Sequence, residues 1–384
     1  MTIRWERLLE LARGERSEEG REIVRLGRKV KEGTAEPGET IELARHLVRR
    51  SDTGRAAEIL LGVIRAESTG AEDVREACEL LERIGSWDEA FHGYERLRGM
   101  PGTGALPLYR MGRLMEKRGR LDEAIDIHRE AIGEEPDNPE CYYRLGVAFT
   151  KSHRYDEAER MYRQAISVDP THAKSYTNLG YILDLGGRRN AALQQFRKAV
   201  QHNPRSAEAH FNLGALYGDG GNRLQAIKEF RVGLELDPSC VEGHYNLGVA
   251  LINEGRYDEA EEEFRRILKL EGDNVNAWFY LGYLAYLRGV YARSLKHLKT
   301  AMRLNPGNAT ILYYIGECYN RLEEPRKALD YYKKVTEIKP DDSRVYFSLG
   351  ISYEKQDDKR KARECYRMAA GTSCRNSGVL LPTE

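Results

Sequence analysis

The chain of 384 residues balances 61 Lys and Arg against 61 Asp and Glu, and charged residues make up 32% of it. With no basic half to neutralise a phosphate backbone, nucleic acid is not an expected partner, and no apolar run reaches the length of a membrane span, so membrane insertion is not expected. The cysteines, Cys78, Cys141, Cys240, Cys318, Cys365 and Cys374, stand singly with no CxxC pair, which argues against a zinc site or a disulfide framework and for a reducing compartment.

The start, Met1 to Arg7, has no apolar run of signal-peptide length, and the expected location is cytoplasmic. Within residues 1–36, Trp5, Leu8, Leu9 and Leu11, then Ile23, Leu26 and Val30, permit two short amphipathic helices, read as an amino-terminal helical cap. Beyond Pro37 a period of 34 residues takes over. Its clearest mark is glycine at Gly112, Gly146, Gly180, Gly214, Gly248, Gly282, Gly316 and Gly350, and self-similarity at a fixed period is the signature of a repeat array. Counting each glycine as position 8, the register runs backwards through Cys78, Ala90 and Tyr94 and through Ala44, Ala56 and Leu60 at positions 8, 20 and 24. Residues 37–104 are therefore expected to be two degenerate repeats. The Gly/Pro-rich stretch from Arg98 to Gly104 is the expected hinge.

Residues 105–374 hold eight units, expected to stack as one elongated domain. Position 20 carries only small side chains, from Ala124 to Ser294 and Ala362, and position 24 carries large ones, among them Tyr162, Phe196, Phe230, Phe264 and Tyr332. Glycine inside a helix costs about 0.5–1 kcal/mol against alanine, so its recurrence at one register implies two helices too close for a Cβ. Tyr142, Leu145, Gly146 and Phe149, then Ala158, Met161, Tyr162 and Ala165, follow helical spacing on either side of a polar turn at Lys151 to Arg154. Asp169-Pro170, Asn203-Pro204, Asp237-Pro238 and Asn305-Pro306 close the pairs. The fold class is all-α, an α-solenoid of antiparallel helix pairs. Residues 375–384 form a tail; Gly371 to Glu384 is too short and Gly/Ser-rich for a good cap, and Val379-Leu380-Leu381 is expected to fold back over the last helices, the alternative being to dock on another copy.

The bulky position 4 (Tyr142, Tyr176, Trp278, Tyr346), the pairs Leu145-Gly146 and Leu179-Gly180, the strings Tyr155 to Ala158 and Tyr257 to Ala260 and the Asp-Pro endings together resemble the tetratricopeptide repeat (TPR) family. The resemblance implies a right-handed superhelix whose first helices line a concave face with positions 2, 5, 6, 9, 12 and 13. Position 6 reads Arg110, Arg144, Asn178, Asn212, Asn246, Tyr280, Tyr314 and Ser348. An asparagine amide offers the donor and acceptor needed to hold one peptide unit, and the three in a row resemble the asparagine ladder of O-linked N-acetylglucosamine transferases. Lys174 and Tyr181 fall at positions 2 and 9 of the same face. Position 5 adds aromatics such as Phe211, Tyr245, Phe279 and Tyr313, and Phe279, Tyr280, Tyr283 and Tyr286 cluster in one unit beside Tyr313 and Tyr314 of the next. Aromatics of this kind anchor binding sites when exposed. The Lys and Asn clamp of chaperone-tail binders is missing, since Phe211 and Ala215 or Tyr245 and Val249 stand at its positions.

No phosphate loop, HExxH or GxSxG occurs; the Asp-Glu pairs open second helices, where they suit the helix dipole, and His210 and His244 at position 4 are expected to pack like Tyr142 and Trp278. No cofactor or metal is expected. The function expected is a non-enzymatic scaffold binding an extended peptide or disordered partner segment in the concave groove; the alternative is a structural or assembly subunit that self-associates or joins a multiprotein complex through array ends and convex faces.

Overall fold

The computed structural model describes residues 18–376, and among them it forms twenty-one α-helices and no strand. Helix α1 (Glu18–Glu32) precedes ten hairpins. These are α2 (Pro37–Arg49) with α3 (Thr53–Arg65), α4 (Ala71–Arg83) with α5 (Trp87–Arg98), α6 (Leu106–Lys117) with α7 (Leu121–Glu134), α8 (Pro139–Lys151) with α9 (Tyr155–Val168), and α10 (Ala173–Leu185) with α11 (Arg189–His202). The rest are α12 (Ala207–Asp219) with α13 (Arg223–Leu236), α14 (Val241–Asn253) with α15 (Tyr257–Leu270), α16 (Val275–Leu287) with α17 (Tyr291–Leu304), α18 (Ala309–Arg321) with α19 (Pro325–Ile338), and α20 (Ser343–Glu354) with α21 (Lys359–Asn376). The chain divides into two compact units, Met1–Pro204 and Arg205–Glu384. That division falls inside the stretch read as one elongated array, at an Asn-Pro helix ending that differs little in sequence from Asp169-Pro170. Within each unit every helix packs on the next, which is what makes a solenoid a sum of neighbour contacts.

The close approach behind the recurrent glycine is explicit. An ideal Cβ on Gly214 would stand 2.8 Å from Phe230 Cδ1, one on Gly180 2.7 Å from Phe196 Cε1, and one on Gly248 2.7 Å from Phe264 Cζ, all far inside the roughly 3.5–4.0 Å at which carbon atoms attract. The position-24 ring of the second helix thus lies flat on the bare backbone of the first. In the α4–α5 pair the arrangement is reciprocal: Cys78 supplies a side chain at position 8, and the missing Cβ moves across to Gly93, where it would meet Cys78 Sγ and stand 2.9 Å from Ile64 Cδ1. In the α6–α7 pair the ring is His128, fully buried against Gly112. Its Nε2 lies 3.0 Å from Glu116 Oε1, and Lys151 Nζ donates to the other oxygen at 2.6 Å. Burial pushes the Glu116 carboxyl up, but the bonds from His128 and Lys151 outweigh it and hold it below the ordinary value.

Each hairpin turns through a residue of positive φ at position 15: Gly85, Gly119, Gly187, Gly221, Gly255 and Gly289, but also Ser51, His153, Glu323 and Asp357 at φ between 58° and 60°. First helices are capped at position 34, where Asn138, Ser206, Cys240, Asn274, Asn308 and Asp342 each accept from a backbone N–H of the first turn.

Two local readings change. The segment from Arg98 to Gly104 lies within one compact unit and is pinned by Glu135, whose Oε1 accepts from Ala105 N at 2.7 Å, while Thr103 Oγ1 donates to Met100 O at 3.0 Å. Helix α21 continues through Gly371, reaching 18 residues where α19 has 14. Of the two helices read in the cap, the one around Trp5 and Leu8 lies outside the described residues, as does the trio Val379 to Leu381; the other is α1, which buries Ile23 and Leu26.

Two expectations follow from the hairpin geometry. Gly214→Val should destabilise by about 1–3 kcal/mol or more in chemical denaturation, because the added side chain strikes the buried Phe230 ring; an unchanged midpoint would refute the close contact. At the turn, Asn222→Ser should be nearly silent because serine also caps α13, whereas Asn222→Ala should cost about 0.5–2 kcal/mol.

Candidate peptide-binding surface

In the first unit, Arg144 on α8 folds back onto Glu140, Nε to Oε1 at 2.7 Å, with its guanidinium 5.5 Å from the centre of the Tyr143 ring. Lys174, at the start of α10, places its ammonium 5.9 Å from the same ring. Burial pushes the Glu140 carboxyl up, yet the bond from His172 and the charges of Arg144 and Lys174 hold it low. Asn178 is half-buried and its amide donates to the Tyr162 hydroxyl at 3.2 Å. That bond ties α10 to α9, so this asparagine is already engaged by the fold. Tyr181 is 47% exposed.

In the second unit Asn212 and Asn246 are half-buried, and neither side chain has a hydrogen-bond partner among the described residues. Phe211 is set apart from the groove reading. Its ring fills the space left by two glycines, since a Cβ on Gly243 would lie 2.6 Å from Phe211 Cε1 and one on Gly233 2.7 Å from Cδ1. Glycine in place of the usual alanine at position 27 is thus the complement of phenylalanine at position 5.

The aromatic cluster is brought together. Tyr280 stacks on Phe264 at 4.8 Å and its hydroxyl lies 3.3 Å from that of Tyr245. Phe279 stacks on Tyr283 at 6.1 Å, and Tyr314 meets Tyr283 edge-on at 5.0 Å, Tyr286 at 5.5 Å and Tyr313 at 5.4 Å. Sequence reasoning treated these rings as exposed anchors, but all six are half-buried, each covering part of the next; on the first helices Tyr181 and, at 56%, Phe347 are openly exposed. Burial first, then neighbouring hydroxyls, raises the Tyr280 and Tyr314 phenols, and burial with the Glu317 charge pushes Tyr286 up to about 12.

Glu317 was missed by sequence reasoning. Its carboxylate accepts from Tyr286 at 3.3 Å, from Tyr332 at 2.7 Å and from Ser348 at 2.8 Å. Beneath it Asn320 donates to the Tyr332 hydroxyl at 3.2 Å and accepts from Ser352 at 2.9 Å. The available signal was a set of polar residues on the inner sides of α18 and α20. His210 and His244 are buried as expected, and each faces a carboxylate, Glu229 at 2.7 Å and Glu263 at 2.6 Å. No group of three or more His, Cys, Asp or Glu among the described residues is placed to hold a metal ion, and no helix there is long and apolar enough to cross a membrane.

Stacked helix hairpins, nine of the ten with a close-contact glycine, define an α-solenoid. Family models described as tetratricopeptide repeat match residues 116–179, 207–240, 241–274, 309–342 and 343–371, and one described as TPR repeat matches 185–221. Together they span more than half of the sequence, and the chain belongs to the tetratricopeptide repeat family, whose arrays serve protein–protein interaction. No curated protein sequence matches it. Among solved structures it is similar to PilF of Pseudomonas aeruginosa, at 21% identity over 56% of this chain and 97% of that one with a TM-score of 0.51. It is also similar to the carboxy-terminal part of a TPR repeat-containing protein of Cytophaga hutchinsonii, at 19% identity over 63% and 99% with a TM-score of 0.51. Both likenesses concern the fold.

The His244 ring has an acceptor at each nitrogen, Glu263 at Nδ1 and the Pro238 carbonyl at Nε2, 3.1 Å away. The bond to Glu263, then that to Pro238, raises its pKa against the opposing effect of burial. A raised folded-state value means that the stabilisation is complete below the unfolded value of about 6.5 and is lost as pH rises through the folded one. The stability advantage of the wild type over His244→Gln should therefore be larger below about pH 6 than at alkaline pH, read by denaturation at both; an equal advantage would contradict the pairing.

Proposed function

We propose that the first-helix face of the second unit binds an extended peptide or a disordered partner segment, without chemistry of its own. The observation that carries this reading is the pair of unengaged amides, Asn212 and Asn246, on the same series of first helices as the six-ring cluster of α16 and α18. An amide without an internal partner is free to pair with a ligand's peptide group, and main-chain pairing gives affinity that does not depend on ligand sequence. The half-buried rings offer firm edges with little rotamer freedom left to lose. In the first unit Arg144 and Lys174 lie over Tyr143 and form a separate, smaller basic patch on the first helices, which also carry the exposed Tyr181. Asn178 has a supporting part there, through Tyr162.

Fluorescence polarisation with unrelated extended peptides tests this. Asn212→Ala with Asn246→Ala should weaken binding across sequences, about 0.5–1.5 kcal/mol for each bond lost. Tyr283→Ala should act only on peptides that present an apolar side chain, and Asn178→Ala should lower stability more than affinity. Unchanged affinity in the double variant, with an oligomer that grows with concentration in light scattering, would replace groove binding by assembly.

A further inference from the structure

The second helices of the last three hairpins all lack the acidic first turn that four of the seven earlier ones carry. Helices α7, α9 and α15 open with Asp-Glu pairs, which the positive end of the helix dipole favours. No acidic residue stands in the first turn of α17, α19 or α21; Arg293, Arg326 and Lys327, and Lys359 to Lys361 stand there instead. Helix α17 has no Asp or Glu at all. Some of these cations are offset locally, Arg293 by Glu261, Lys327 by Glu324 and Lys361 by Asp358. The exposed Lys296, Arg326, Lys333, Arg360, Arg363 and Arg367 have no ion pair among the described residues.

The cations are ordered. Arg293, Lys327 and Lys361 recur at position 19, and Lys299, Lys333 and Arg367 at position 25. The first row meets the second across Tyr319, whose ring takes the ammonium of Lys299 and that of Lys327, each 5.4 Å from its centre. Tyr331 stacks on Tyr319 at 5.7 Å and takes Lys334 at 5.5 Å. The second helices of three successive hairpins thus repeat like charges at the same positions, with a regular spacing.

We propose that this outward face of α17, α19 and α21 docks an acidic protein segment. The rings give no platform for bases, because Tyr319 is 7% exposed and its neighbours already lie under ammonium groups. Asp330 and Glu364 recur at position 22, between the two cation rows. A flexible peptide can place spaced carboxylates on either side of them, which the flat and uniformly anionic surface of a lipid headgroup layer cannot. This site is separate from the first-helix face and stands without it.

The test uses a fluorescein-labelled poly-glutamate peptide, with a poly-lysine control and vesicles of phosphatidylserine in phosphatidylcholine. The full chain should bind the acidic peptide, more weakly as salt is raised, and Arg326→Glu with Lys333→Glu and Arg360→Glu should weaken that binding about tenfold or more. The same variant should melt no lower than the wild type, since glutamate at Arg326 and Arg360 suits the helix dipole; this separates a docking role from a structural one. Equal binding of wild type and variant, no binding at low salt, or binding to vesicles without binding to the peptide would each overturn the proposal.

Discussion

The fold depends above all on one contact that eight of the ten hairpins share, the large residue of position 24 lying on a first helix that has no Cβ at position 8. With that Cβ absent the two helices of a hairpin close to backbone-against-ring distance, so a small residue is also needed where the second helix passes the first. Ala158, Ala192, Ala226, Ala260 and Ala328 are fully buried there. The α4–α5 pair shows that the constraint concerns space rather than glycine at a particular place, since Cys78 is tolerated once Gly93 yields the room. Phe211 repeats the principle between hairpins, filling the gap that Gly233 and Gly243 leave.

The hairpins were legible because their determinants are local and repeated. Glycine, alanine, a large residue and an Asp-Pro ending recur in one register, and each has a steric reason. Other features could not be read from the pattern. The division at Pro204 uses the same dipeptide that ends uninterrupted pairs. The position-15 turn needs positive φ, which glycine signals, but His153, Glu323 and Asp357 adopt it without any mark in the sequence. The loop before Ala105 looked like a hinge by composition, and only the position of Glu135 reveals that its backbone is held.

For the candidate surface, sequence register identified which residues share a helix face but not which were already engaged. Asn178, Asn212 and Asn246 are equivalent by position, yet only Asn178 meets a hydroxyl among the described residues, because the large residue it reaches is Tyr162. Whether an asparagine is available for a ligand is thus decided by a residue sixteen positions earlier. The aromatic belt differs from its reading for a related reason. Rings at positions 5, 6, 9 and 12 of adjacent first helices are close enough to cover one another, which trades exposure for rigidity. Glu317 gathers hydroxyls from α16, α19 and α20, joining neighbouring hairpins through polar contacts where the array elsewhere uses apolar ones.

The most direct test of the close-contact account is a double-mutant cycle on Gly214 and Phe230 in the full chain, followed by chemical denaturation. If the Cβ at position 8 harms stability because it strikes the ring, Gly214→Ala should cost much less once Phe230→Leu has removed that ring, giving a coupling of about 0.5–3 kcal/mol. Additive losses, with Gly214→Ala equally costly in both backgrounds, would mean that glycine is there for another reason and would contradict the account.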